Sequence, residues 1–238
     1  MNNYLMRIIL SIILCVCFFQ NTQAQTINLN ESFIQQNLRT AQLLGKFDPT
    51  FSFTSLPIHT GKKGVKIDPS LIGSKEYGTT LKTFLGKYGT LKILPVDFLM
   101  EFSSHHPYSR NNGSMIPNRG YQQLVSFGFF AELGPLSIQF KPESVYAENR
   151  DFEGFPDSHY DATWSRRFSL WNSMDLPERF GEKAYKKSLF GQSSIRLNYQ
   201  GLSLGLSSEN IWWGPSVRNS IMMSNQAQGF NHITFDTT

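Results

Sequence analysis

The sequence predicts an all-β protein: the N-terminal part of a large transmembrane antiparallel β-barrel, preceded by a small helical segment. Three observations carry this expectation. First, residues 190–213, FGQSSIRLNYQGLSLGLSSENIWW, alternate with period two. Ile195, Leu197 and Tyr199 interleave with Ser194, Arg196 and Asn198, and Leu202, Leu204 and Leu206 interleave with Ser203, Gly205 and Ser207. Such alternation places each set on one face of a strand, here an aliphatic face opposite a face that carries an Arg and an Asn. Second, the chain begins like an exported protein. Third, no apolar run after Phe19 is long enough for a membrane helix, so any crossing must be made by strands. A soluble β-sandwich shows similar alternation, so the hairpin alone does not decide between the two.

Taken in order, residues 1–24 read as a cleaved signal peptide. Arg7 supplies the positive end, Ile8 to Phe19 an apolar run, and Thr22-Gln23-Ala24 a small-residue cleavage site. That run falls short of the roughly 20 residues that span a bilayer. Both cysteines, Cys15 and Cys17, lie inside this segment, and Ile13-Leu14 before Cys15 do not fit a lipidation signal. The exported chain is therefore free of disulfides and must be held by burial and hydrogen-bonded ladders. The net charge, +4 for the whole chain and +3 without residues 1–24, is too small and dispersed to suggest a nucleic-acid partner. Mean hydropathy is slightly negative at −0.28, as expected for a wall with one polar face.

Residues 25–89 are predicted to form an N-terminal helical, periplasmic segment. An amphipathic helix is expected over 28–46, with Asn30 as its cap, Ile34, Leu38, Ala41 and Leu44 on one face, and Gly45 as its stop. A second helix is expected over 74–87, from the spacing of Leu81, Phe84 and Leu85. Residues 90–238 are predicted to be barrel strands: 90–103, 122–132, 136–147, a run around 160–171, the two strands of the hairpin, and a last one beginning near His232. Gly134-Pro135 and Gln200-Gly201 make short turns, whereas 104–120 and 149–159 are long and rich in Asn, Gly, Pro, Asp and Ser. Short turns on one rim and long loops on the other is the asymmetry of outer-membrane barrels. Since 232–238 stops inside an alternating run, the chain is expected to be the first portion of a longer protein.

Catalytic patterns are sparse. Glu178 and Glu209 are the one carboxylate pair considered for glycoside hydrolysis, but nothing in the sequence sets their separation. His105-His106-Pro107 place two imidazoles side by side in sequence, where they should point apart, so neither a metal site nor any cofactor is expected. There is no nucleophile elbow and no phosphate-binding loop. The stronger candidates are aromatic and polar residues grouped as in sugar-binding sites, where a ring stacks on a pyranose and amides, carboxylates and guanidinium groups take its hydroxyls. These are Glu209, Asn210, Trp212, Trp213, Arg218, Asn219 and Asn225. The alternative for the tryptophans is an interfacial belt, and for Asn225 a turn cap. Because neighbouring strand residues face opposite ways, Trp212 and Trp213 should not share a surface, and regular pairing should break near residues 208–210.

At this cluster the chain resembles the capsule assembly protein Wzi family of Gram-negative outer membranes. The matching stretches are Arg119-Gly120, Gly134-Pro-Leu-Ser-Ile-Gln139, Asp151-Phe-Glu-Gly-Phe-Pro-Asp157 and Met174-Asp-Leu-Pro-Glu-Arg-Phe-Gly181. They continue with Gly191-Gln-Ser-Ser-Ile-Arg196, Gly201-Leu-Ser-Leu-Gly-Leu206, Glu209-Asn-Ile-Trp-Trp-Gly-Pro215, Ser224-Asn225 and Gly229-Phe230. The similarity spans residue 40 or so to the C-terminus. Ser216 departs from the family's Gly-Pro-Gly pattern, and the chain is shorter than the family's barrel. The resemblance implies a non-enzymatic, lectin-like outer-membrane barrel that binds and retains capsular or surface polysaccharide. Its other expected partners are outer-membrane lipid and the barrel-insertion machinery. A porin-like channel, and after it a surface glycosidase, are the alternative functions.

Overall fold

The protein is described from a computed structural model covering residues 25–27, 29, 32–60, 78–84, 89–174, 177, 179–200 and 202–237. The signal peptide, the Asn30 cap and Glu178 lie outside the described residues. So does half of the second expected helix, residues 74–77 and 85–87.

The chain is largely β-structure with two short helices. Strand β1 (Gln25–Ile27) precedes helix α1 (Ser32–Leu43), and the short strands β2 (Ser55–Leu56) and β3 (Ile58–Thr60) follow. α1 ends as its glycine dictates. Gly45 sits at φ 69, the Lys46 N–H donates to the Ala41 carbonyl at 2.8 Å, and the Gly45 N–H donates to Gln42 at 3.1 Å. This 6→1 and 5→2 pair satisfies the last carbonyls of the helix. Its apolar stripe, Ile34, Leu38 and Ala41, packs with Ile27, Phe47, Phe53, Leu56, Ile58, Leu94, Phe130 and Trp212 into the main hydrophobic core.

The remaining strands are β4 (Thr79–Phe84), β5 (Gly89–Ile93), β6 (Asp97–Tyr108), β7 (Asn118–Ser126), β8 (Phe129–Leu133), β9 (Leu136–Phe140), β10 (Glu143–Ala147), β11 (Tyr185–Leu189), β12 (Ser194–Tyr199), β13 (Leu202–Ser207), β14 (Trp212–Trp213) and β15 (His232–Thr237). One antiparallel sheet has the order β15-β13-β12-β9-β8-β5-β4 and a second β11-β10-β7-β6. Their registers show that the sheets are two halves of one meander. Ile93 pairs with Phe129 where Asp97 pairs with Ser126, Phe129 with Phe140 where Ser126 pairs with Glu143, and Gln139 with Ser194 where Glu143 pairs with Leu189. Four long strands are thus interrupted at a common level. This seam is fastened by Leu94 N–H to the Gly128 carbonyl at 3.0 Å and Gln192 N–H to the Lys141 carbonyl at 2.9 Å. Across it, the buried Lys141 ammonium lies 3.0 Å from Asp97. Among the described residues the sheet is open, with β4 and β15 as its edges, and no closed barrel is formed.

Two expectations are corrected. Residues 79–84 form β4, not helix, so the sheet begins before residue 90. Thr79, Thr80 and Thr83 are β-branched, and β5 supplies the ladder that local helical spacing cannot outweigh. The run around 160–171 is helix α2 (Asp161–Met174), not strand. Its rings recur at helical spacing: Trp164 stacks on Phe168 at 5.5 Å, and the Arg167 guanidinium lies 5.6 Å over Trp171. β11 arises further along, at a basic stretch where no strand was read.

Burial on the meander is reversed relative to a soluble domain. Lys92, Glu132, Ser137, Gln139, Arg196, Asn198, Ser203 and Ser207 are buried, while Ile195, Leu197, Leu204, Leu206, Ile233 and Phe235 are exposed, the last two at 73% and 71%. Arg196 fits on the inner face because its ladder partner is Gly205. A Cβ there would stand 2.7 Å from Arg196 Cγ and 2.6 Å from the Ile195 carbonyl oxygen. The short connections, 134–135 among them, all lie at one end. The connections 109–117 and 148–184 lie at the other, and 208–231 leaves from the seam.

Candidate functional site

Regular alternation stops at Ser207, and Ser207, Ser208, Glu209 and Asn210 are all buried in succession. The expected break therefore falls where the chain leaves β13. What holds it is a polar network on the inner face of the sheet. The Arg196 Nη2 donates to Glu209 Oε2 at 2.8 Å, and the two side chains are 2% and 1% exposed. Ser207 Oγ donates to the same oxygen at 2.8 Å, while Thr26 Oγ1 and Gln139 Nε2 donate to Oε1. Glu209 lies beyond the end of β13. Burial pushes its carboxyl upward, and Arg196 with the Thr26 and Ser207 hydroxyls more than reverses this, holding it below the usual range. Arg196 also reaches Thr234 on β15 at 2.8 Å. An ion pair so completely desolvated needs its remaining lone pairs filled, and here hydroxyls and a carboxamide fill them.

Asn210 continues the network. It exchanges two hydrogen bonds with Gln192, at 2.8 and 3.1 Å, and its amide donates to Asn225 Oδ1 and to the Ala227 carbonyl. Asn225 in turn donates to the Asn111 carbonyl at 3.1 Å, and Asn111 donates to the Arg218 carbonyl at 2.6 Å. The 109–117 connection and the 208–231 connection are thereby pinned together. Gly229 is required by the close approach: a Cβ there would lie 2.1 Å from the Ser208 carbonyl oxygen.

The two tryptophans separate as expected. Trp212 is buried in the N-terminal core, and its Nε1 donates to the Ser216 carbonyl at 3.0 Å, a backbone contact that a serine at 216 provides as well as a glycine would. Trp213 is exposed, and both residues of β14 pair with β2 of the N-terminal segment. The seven sequence candidates thus fall into three groups. Glu209 and Asn210 spend their hydrogen-bonding capacity inside the protein. Trp213, Arg218 and Asn219 are exposed on the 208–231 connection.

Trp212 and Asn225 border a cleft of about 240 Å³ that α1 also lines. Gln35, Gln36 and Arg39 come from the helix; Leu29, Leu56, Asn111 and Val217 complete the lining. The Arg39 guanidinium lies 4.4 Å over the Phe53 ring. Partial burial lowers its pKa, without discharging an arginine at physiological pH. Carboxamides, a guanidinium and an indole around one cleft are the chemistry of a polyol-binding site. The α1 residues were missed in the sequence because nothing local marks them: they read as the polar face of a helix and are more than 170 positions from Trp212.

The imidazoles of His105 and His106 correct one more expectation. They do not point apart but stack, with centroids 4.5 Å apart and Nδ1 atoms 2.7 Å apart, because the β6–β7 register shifts between Ser103 and Tyr108. Among the described residues no group of three or more metal-ligating side chains occurs. Glu178, the other half of the glycosidase pair, lies outside the described residues, and Glu209 is committed to Arg196. No protein-family model, curated protein or solved structure matches the chain.

Proposed function

We propose that the chain is part of the wall of an outer-membrane β-barrel that binds and retains surface polysaccharide without reacting on it. The observation that carries this is the reversed burial of the meander, with Arg196, Lys141, Glu132 and Asn198 inside and a continuous aliphatic face outside. Monomeric soluble proteins rarely expose such a contiguous apolar surface, whereas lipid would cover it at no cost. A groove of about 620 Å³ walled by Ile138, Phe140, Phe190, Ile195, Leu206 and Ile233 belongs to that outer face and fits acyl chains. Export through the signal at 1–24 and insertion by the barrel-assembly machinery belong to the same reading.

The retention role rests on the cleft between α1 and Trp212, together with the Wzi-like stretches that build its surroundings. Glu209 and Asn210 serve here as the scaffold of the binding surface. Sugar contact falls to Trp212, Asn225 and the exposed Trp213, Arg218 and Asn219. Deleting the gene is expected to release polysaccharide into the medium while its synthesis continues; unchanged cell-attached polymer in an encapsulated strain would refute the role. The polar inner wall also suits a porin-like channel. The N-terminal segment, which occupies that inner face through Thr26 and Ile27, favours a plugged barrel, and solute-passing conductance in planar bilayers would reverse that preference.

A further inference from the structure

The cleft has an uncompensated cation. The side chains of Gln35, Gln36 and Arg39 make no hydrogen bond and no ion pair within the described residues. This contrasts with the other inner charges, where Arg196 has Glu209 and Lys141 has Asp97. The Arg39 guanidinium lies over the face of Phe53, which orients its plane and leaves its N–H edge for a ligand. Trp212, Val217 and Asn111 line the same cleft. A planar fork of donors meets a carboxylate in bidentate fashion, and carboxamides flanking it match vicinal hydroxyls. The volume of about 240 Å³ admits one or two sugar units and not a bulky macromolecular domain.

We infer that this cleft is a subsite for a carboxylate-bearing sugar residue of the retained polysaccharide, with Arg39 taking the carboxylate, Gln35 and Gln36 the adjacent hydroxyls, and Trp212 one side wall. The inference rests on the polysaccharide reading above and assigns half of the site to the N-terminal segment. That segment is then part of the binding surface as well as filler of the interior.

The test uses the full exported chain in detergent micelles and the polysaccharide shed by the parent strain, native and after carbodiimide and borohydride reduction of its carboxyl groups. Native polymer is expected to bind at least tenfold more tightly than the reduced form. Arg39→Gln should abolish that difference by bringing the affinity for native polymer down to that for the reduced form, and Arg39→Lys should restore part of it. Circular dichroism and heat-modifiable gel migration establish that the variants are folded. Equal binding of both polymers by the unaltered protein, a preference that survives Arg39→Gln, or a polymer containing no carboxylated sugar would each overturn the subsite while leaving the retention role standing. Binding of neither polymer would overturn both.

Discussion

The N-terminal segment and the meander obey opposite burial rules within one chain. Around α1 the apolar residues Ile34, Leu38, Phe47 and Phe53 are buried, and Gln36, Thr40 and Lys46 face outward, as in any water-soluble protein. On β12 and β13 the leucines face outward and the serines, asparagine and arginine are buried. Identical chemistry cannot favour both arrangements in one solvent, because burying an apolar group gains free energy only when water is the alternative. On the proposed reading, the two regions answer to different surroundings on their exposed sides, water for one and lipid for the other. It also explains how they join. The meander offers the N-terminal segment a polar inner face, and the segment meets it with Thr26 at Gln139 and Glu209 and with apolar contact at Leu94, Phe130 and Trp212.

The comparison is broken most severely by removing one partner of the inner ion pair. Arg196→Met should cost about 3–5 kcal/mol, since Glu209 would remain buried and unpaired, and the double change with Glu209→Leu should recover much of it. Urea unfolding of the protein in vesicles measures both; a single variant as stable as the parent would show that the inner face is wet enough to hydrate Glu209. Next comes the conventional core. Leu38→Ala should cost about 2–5 kcal/mol, and by about the same amount in micelles as in vesicles, because its surroundings are protein on all sides.

A sharper comparison uses two leucines that are both exposed. Leu204→Arg should cost roughly 2–4 kcal/mol in a bilayer, whereas Leu43→Arg on the N-terminal segment, 89% exposed, should fall within about 0.5 kcal/mol of the parent. Similar costs at the two positions would remove the lipid from the explanation. A modest effect is expected of Gly45→Ala. Nothing lies within 4 Å of the added methyl, so only the positive φ opposes it, at about 1 kcal/mol. A thermal scan that detects no change would mean that the helix end relaxes to another conformation.

How legible this was in the sequence depended on range. The hairpin of β12 and β13 was readable because its alternation is local and its turn is two residues long. The last turn of α1 was readable for the same reason, through Gly45. Thr79–Phe84 was misread because its three threonines carry their preference only once β5 lies alongside. Asp161–Met174 was misread because an aromatic-rich run was taken for a strand when its rings repeat every three or four residues. In the candidate site, Trp212, Asn225 and Glu209 were named from their neighbours in the sequence, Glu209 as a sugar contact. What it does was hidden, since its partners are set by the register of β12 against β13 and by a strand at the other end of the chain. Arg39 and Gln36 carried no signal, because a polar helix face looks the same whether water or a ligand covers it.

The sequence separation of the contacts made by Thr26 has a consequence for the order of assembly. Its partners Gln139 and Glu209 lie 113 and 183 positions away. Closing loops of that length is entropically costly until other pairings have brought the ends together. Each meander strand, by contrast, finds its neighbour within a few dozen residues. The hypothesis that follows is that strands pair first and the oldest part of the nascent chain docks last. The first residues to leave the export channel would then wait for the rest, with Ile27 and Phe53 needing shelter meanwhile. Pulse-labelled hydrogen exchange that protected the Thr26 amide before that of Leu204 would reverse this order.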